Sequence, residues 1–387
     1  MNLTSVSLPF CLCVASSLLA LAHFSVSATN SVQPQRDDEV IEVLPLITRN
    51  RPVISAATKP APLDLSAALT AARKDIAQAR QTGDTRYWGR AQALLAPWWD
   101  RPDAPADVAV LQATVQQGRH EFAASRQVLT AALARAPGHA QGWLNLAVLE
   151  RLSGNYTQAL DACTKVGLAG QSLYARACTL ETQSLQGQHQ TATQELQQLT
   201  GKSQDAGQRA WLSSLLAEAF ERWGRDALAA QAYQRSLAFE PDLYTAIAYS
   251  DLALRTGRFK EALTALATLP ETDAVLLRRA AAWKRLGDER WRTTLATLNE
   301  RTAELKRRGD DPDLHGRELA LIALWLDDNP TAALAAARQN LGLQREPIDW
   351  WVALQSAKRA KDDAALQELR AALSKTGLRD ARLAAKP

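Results

Sequence analysis

Glycine returns through this chain at a nearly constant step, and that recurrence constrains the fold more than any other feature. Gly83, Gly118, Gly154, Gly187, Gly224, Gly257 and Gly287 are separated by 30 to 37 residues, about 34 on average. Two apolar stretches with helical spacing flank each one, so the glycine stands where one helix stops and the next begins. Glycine suits that place because it enters the left-handed conformation without steric cost. The flanks keep the same phase. Ala123, Ala159, Ala192, Ala229 and Ala262 fall five residues after the glycine, where a second helix would press on the first. Cys163, Leu196, Tyr233 and Leu266 follow one turn later on the same face. Seven residues before the glycine come Ala147, Leu180, Ala217, Ser250 and Ala280, mostly small, and Pro137 and Pro241 close two of the second helices.

The run from Trp143 through Gly154 to Ala159 resembles the tetratricopeptide repeat family, whose unit is an antiparallel helix pair of this length. So do Leu216–Phe220 with Gly224, Ala229, Tyr233 and Pro241, and the run Gly257–Leu263. The resemblance is carried by residues 103–290 and loosens outside them. It implies an all-α fold in which about nine helix pairs stack into a right-handed solenoid with a concave groove. The pairs are expected to begin near residues 65, 103, 139, 172, 207, 242, 272, 312 and 347. An atypical pair over 65–102 opens the array. Tetratricopeptide repeats fill 103–308, and degenerate repeats with a C-terminal cap occupy 309–387. Modularity also answers the length, since 387 residues exceed the roughly 250–300 at which a single core stops growing.

The first 28 residues contain no Lys, Arg, Asp or Glu, and residues 10–24 form an apolar run of signal-peptide length. Val26 and Ala28 supply the small residues of a cleavage site, which places the cut after Ala28. The missing basic residues ahead of the run depart from the usual pattern. The resulting expectation is a periplasmic or secreted protein; the alternative is an inner-membrane anchor made by residues 10–24. Residues 29–64 are proline-rich and exclude a long helix. They read as a disordered linker or, alternatively, as a short extended segment around Val40–Leu44 that docks on a groove.

After that segment the chain has no Met, two cysteines and four histidines, His120, His139, His189 and His315. None of these histidines has the helical spacing of a zinc peptidase, so no metal or cofactor is expected. Gly201-Lys202-Ser203 ends like a phosphate loop, but Leu196 occupies the place of its first glycine. No nucleophile elbow is visible, which points away from an enzyme. Cys163 and Cys178 lie on adjoining helices of successive repeats. They either form a disulfide staple or sit as small buried apolar residues. A net charge of +4 does not by itself indicate nucleic acid.

The strongest functional pattern lies on the first helices. Thirteen residues before the glycine stand Tyr174, Trp211 and Tyr244; six before it stand Glu181, Glu218 and Asp251; two before it stand Arg222, Arg255 and Arg285. Offsets of seven and four residues keep these positions within about 20° on a 3.6-residue helix. Stacked, they make aromatic, acidic and arginine ladders along the groove that the resemblance places there. Such ladders can grip an extended or helical protein segment of basic or mixed charge. Ordinary intrahelical ion pairs would explain the charges without a ligand. The carboxylate-clamp members of the family use groove Lys and Asn, and only Asn145 resembles that pattern here. The expected role is thus a non-catalytic scaffold for protein partners in an envelope secretion or polysaccharide-export complex, with no nucleic acid and no small-molecule substrate. The alternative is an envelope subunit that holds a glycan or other polymer through groove aromatics and the basic stretch 278–308.

Overall fold

The structure is a computed structural model that describes residues 64–307 and 312–384. The expected signal peptide, its cleavage site and almost all of the proline-rich stretch lie outside the described residues. The described residues belong to one compact unit. Among the described residues there are eighteen α-helices and no strand.

The helices form nine antiparallel pairs. They are α1 (Leu65–Thr82) with α2 (Arg86–Leu95), α3 (Ala106–Gly118) with α4 (Phe122–Arg135), and α5 (Ala140–Leu152) with α6 (Tyr156–Leu168). The central pairs are α7 (Ser172–Leu185) with α8 (His189–Lys202), α9 (Ala206–Arg222) with α10 (Asp226–Phe239), and α11 (Leu243–Arg255) with α12 (Phe259–Leu266). The last are α13 (Asp273–Leu286) with α14 (Arg290–Arg307), α15 (Gly316–Trp325) with α16 (Pro330–Leu343), and α17 (Pro347–Ala360) with α18 (Asp363–Thr376). The pair starts agree with the sequence period to within a few residues. Gly201-Lys202-Ser203 is the end of α8 and not a phosphate loop.

Local chemistry explains where the helices begin and end. Asp205, Asp242 and Thr272 cap α9, α11 and α13 by accepting from the backbone N–H three residues on. The six loop glycines other than Gly118 adopt positive φ, from 66° at Gly83 to 97° at Gly187. After Gly154 the N–H of Asn155 returns to the carbonyl of Glu150, closing the helix end around a left-handed residue.

Gly118 is the exception and corrects the register of the second pair. It is the last residue of α3, and His120 takes the left-handed position at φ 62°. Counting from His120, the contact positions become Ala113, Ser125 and Leu129, all fully buried, whereas Ala123 is exposed. Elsewhere the expected small contacts hold: Ala159, Ala192, Ala229 and Ala262 are fully buried. The eighth and ninth turns use Asp328 and Lys361 in the left-handed conformation instead of glycine.

Along most of the stack each first helix packs on the first helix of the next pair. Leucines at these contacts, such as Leu149, Leu180, Leu216 and Leu252, lose nearly all solvent contact. Each contributes about 1.5–3 kcal/mol by burial. The array also meets itself. Gly83, at the end of α1, lies against Thr272 and Leu243 of the sixth and seventh pairs. The last pairs then return to the third, fourth and fifth, where Tyr156 and Leu185 share one apolar cluster with Leu354 and Leu378.

Cys163 of α6 and Cys178 of α7 are joined by a disulfide, with Cα atoms 5.6 Å apart. The staple ties the third pair to the fourth.

Candidate protein-binding groove

The last residue of a first helix carries a carbonyl that the helix cannot use. In three successive repeats this carbonyl accepts a backbone N–H from the C-terminal part of the chain. Leu152 receives Arg345 at 2.7 Å, Leu185 receives Arg379 at 2.8 Å, and Arg222 receives Ala381 at 2.9 Å. The chain leaves helix at Gly377, after which its side chains alternate: Leu378 and Asp380 are buried, while Arg379 and Ala381 are exposed. That period of two is the mark of extended backbone. The groove therefore already holds a short non-helical segment of its own chain. Burial alone would raise the Asp380 carboxyl, but Arg382 and Arg222 outweigh it and hold it below the usual range. Arg382 also reaches Glu221 at 3.3 Å.

The structure brings the sequence-derived stripe together in part. Tyr174 and Trp211 stack at 5.4 Å between ring centroids. Tyr244 is 60% exposed, and its hydroxyl donates to Glu218 at 2.6 Å. Burial raises the Glu218 carboxyl, and Glu181 adds to that effect. The acidic ladder, however, is occupied from within. Glu181 pairs with Arg151 at 2.8 Å, Glu218 with Arg222 at 3.3 Å, and Asp251 with Nε and Nη2 of Arg278, each at 2.8 Å. These carboxylates already face arginines, so their charge alone does not mark a basic ligand.

Two further residues change role. Arg222 is 4% exposed, with its guanidinium on Ser184 and Glu218, and its carbonyl takes the N–H of Ala381. Asn145 is buried in a polar contact with Thr114 and Gln141. Arg255 bridges Glu221 and Asp226. Arg285 alone of the predicted arginines is exposed and has no hydrogen-bonding or ionic partner among the described residues.

Beside Arg382 the groove opens into a cavity of about 200 Å³ lined mainly by the first helices of the fifth to ninth pairs. Asp251, Arg255 and Arg285 line it as the stripe predicts, joined by Arg359 and by Trp325 and Trp351. The two tryptophans pack edge to face at 6.3 Å. Sequence reasoning missed Arg359, because it stands two residues before Lys361, a left-handed residue that is not glycine. A frame counted from turns rather than from glycines would have found it.

The basic stretch 278–308 is largely neutralised. Lys284 meets Asp328, Arg290 meets Asp288, Arg292 meets Glu289 and Arg301 meets Asp273. Among the described residues no cluster of three or more metal-binding side chains occurs, and no helix is long and apolar enough to cross a membrane.

The stacked antiparallel pairs, their period and their left-handed turns define a tetratricopeptide-repeat fold. Among solved structures, a Rap protein complexed with competence and sporulation factor is similar at a TM-score of 0.52 and 8% identity. The match covers 80% of this chain and 85% of that one. A tetratricopeptide repeat protein from Parabacteroides merdae ATCC 43184 aligns at 12% identity and a TM-score of 0.38, over 65% of this chain and 98% of that one. No family model matches the chain, and a comparison with curated proteins gives no match.

Proposed function

We propose that this protein is a non-catalytic interaction scaffold whose groove binds an extended segment of a protein partner. One observation carries the reading: the groove already seats residues 378–381 of its own chain through carbonyls that recur once per repeat. Backbone bonding of this kind accepts an extended chain whatever its side chains, and exposed aromatics then supply selectivity. Tyr244 and the Tyr174–Trp211 pair offer such surfaces. The solved Rap protein, similar in fold, is itself in complex with a factor.

The same proposal places the protein in the cell envelope, periplasmic or secreted after cleavage near Ala28, within an assembly such as a secretion or polysaccharide-export complex. The Cys163–Cys178 disulfide supports an oxidising compartment. The pairing of the basic stretch 278–308 weighs against the polymer-binding alternative. Crosslinking and co-purification from the native envelope test the groove, comparing the wild type with the Trp211→Ala/Tyr244→Ala double variant. Loss of a partner is expected; retention of every partner at wild-type yield overturns the reading. Mass analysis of the exported chain tests the address, with a mature protein beginning at Thr29 as the expected form.

A further inference from the structure

The cavity beyond the tail combines two features that call for different halves of one occupant. Its floor is apolar: Leu254, Ile348, Trp325 and Trp351 all line it and are half-buried, so each keeps surface that water covers at a cost. Its carboxylates are already satisfied. Glu221 accepts from Arg255 at 3.0 Å, Arg382 at 3.3 Å and the Tyr233 hydroxyl at 2.9 Å, and Asp251 is held by Arg278. Two exposed arginines are left over. Among the described residues Arg285 has no partner, and Arg359 donates only to the carbonyl of Leu324, at 2.8 Å. Guanidiniums lining a partly enclosed apolar hollow favour an anion whose own neighbour is apolar, since the hollow weakens solvent screening.

We propose that this cavity is a subsite for an aspartate or glutamate lying next to a large apolar residue in an extended protein segment. The inference rests on the groove's reading as a polypeptide-binding surface and names the partner chemistry at one end of it. A volume of about 200 Å³ suits a large side chain and an adjoining carboxylate. It is smaller than the roughly 300–1,000 Å³ usual for small-molecule pockets. Continuity argues for a polypeptide too. Arg382 of the seated tail forms part of the cavity wall, so a chain following the same floor arrives there. The carbonyl of Arg255, one repeat beyond Arg222, is equivalent to the three that accept tail and C-terminal donors, and no donor among the described residues reaches it. The apolar side chain would rest on Trp325 and Trp351, with the carboxylate between Arg285 and Arg359.

The test is selection of a randomised seven-residue peptide library on the purified full chain, with the Arg285→Gln/Arg359→Gln variant as counter-selection. Enrichment of Asp or Glu beside a large apolar residue is expected on the wild type and not on the variant. A synthetic enriched peptide, followed by calorimetry, should then lose about tenfold in affinity when its acid becomes the amide, a loss that the double variant no longer shows. Both arginines are exposed, so thermal unfolding of the variant should match the wild type and exclude misfolding as the cause.

Peptides enriched without acidic residues, and lost only in Trp211→Ala/Tyr244→Ala, would sink the subsite while leaving the groove reading intact. Equal enrichment of acids on wild type and variant also rejects it. No peptide recovered from either protein rejects the subsite and the groove together. If N-acetylphenylalanine binds as tightly as the peptide, the site is one for small anions and the proposed occupant is wrong.

Discussion

The N–H of Ala381 donates to the carbonyl of Arg222 at 2.9 Å, so the end of α9 is completed by a residue from beyond the ninth helix pair. The same kind of bond joins Arg379 to Leu185. A helix normally leaves its final carbonyls to water or to a cap. Here part of the chain takes that place, and the fourth and fifth repeats are thereby tied to residues far along the sequence.

Arg379→Pro and Ala381→Pro together delete both donors without removing a buried side chain. Each bond contributes about 1 kcal/mol. Hydrogen exchange at residues 378–383 should rise to the rate of a free chain, while the helices of the first six pairs keep their protection. Unchanged protection of 378–383 would show that the two bonds do not hold the segment.

Glycine substitutions separate backbone strain from contact with the tail. Gly224 and Gly257 have nearly equal φ, 75° and 76°, so alanine costs about 1–2 kcal/mol at either from the left-handed conformation. A Cβ on Gly224 would also come within 3.1 Å of the Ala381 Cβ, whereas Gly257 faces open space. Gly224→Ala should therefore destabilise more than Gly257→Ala, and the excess should vanish in the double-proline background. Equal effects in the parent chain would contradict the placement of Ala381.

The disulfide closes a short loop, since Cys163 and Cys178 are 15 residues apart. Chain-entropy arguments give such a loop about 3 kcal/mol of stabilisation. Cys163→Ser/Cys178→Ser should lower the unfolding temperature, most visibly in the third and fourth pairs, because repeat arrays unfold by neighbouring units. Thiol alkylation of a chain beginning at Thr29, which has only these two of the four cysteines, should give no mass shift before reduction and two additions after it.

How much of this was legible in the sequence depended on what each residue reports. The helix pairs were, because a left-handed turn and a small contact residue leave a mark wherever they recur; Ala159, Ala192 and Ala229 are fully buried as their spacing requires. His120 and Lys361 escaped because other residues can enter the same conformation at some cost. Asp251, Arg255 and Arg285 of the stripe lie on the cavity wall, but the partners of its charges were not legible, for a physical reason. Spacing along one helix shows which side chains share a face, but not which partner arrives from the next helix. Asp251 meets Arg278 and Glu181 meets Arg151, both across repeats. The docked tail was illegible altogether, since its anchoring bonds are made by backbone and carry no side-chain signature.

Acidification should loosen the contacts between the early repeats and the C-terminal region. Burial is the main cause that lowers the pKa of both His120 and His189 below 6.5. His120 lies against His315 at 5.6 Å between centroids, with Arg317 opposing its charge and Glu318 favouring it. His189 faces Arg222, which opposes its charge, and Asp380, which favours it. Both imidazoles keep a buried Nδ1 without a partner. In the unfolded chain each histidine takes up its proton near pH 6.5, while the folded chain resists it. Their stabilising contribution is therefore whole above about pH 6.5 and is lost as pH falls below that value. The unfolding temperature should drop between pH 7.5 and 5, and His120→Asn with His189→Gln should flatten the drop, asparagine being the better substitute where φ is positive. A profile of unchanged slope in the double variant would assign the pH dependence to other groups. Asp380, held below the usual carboxylate range, adds its own loss only at lower pH, as it is protonated.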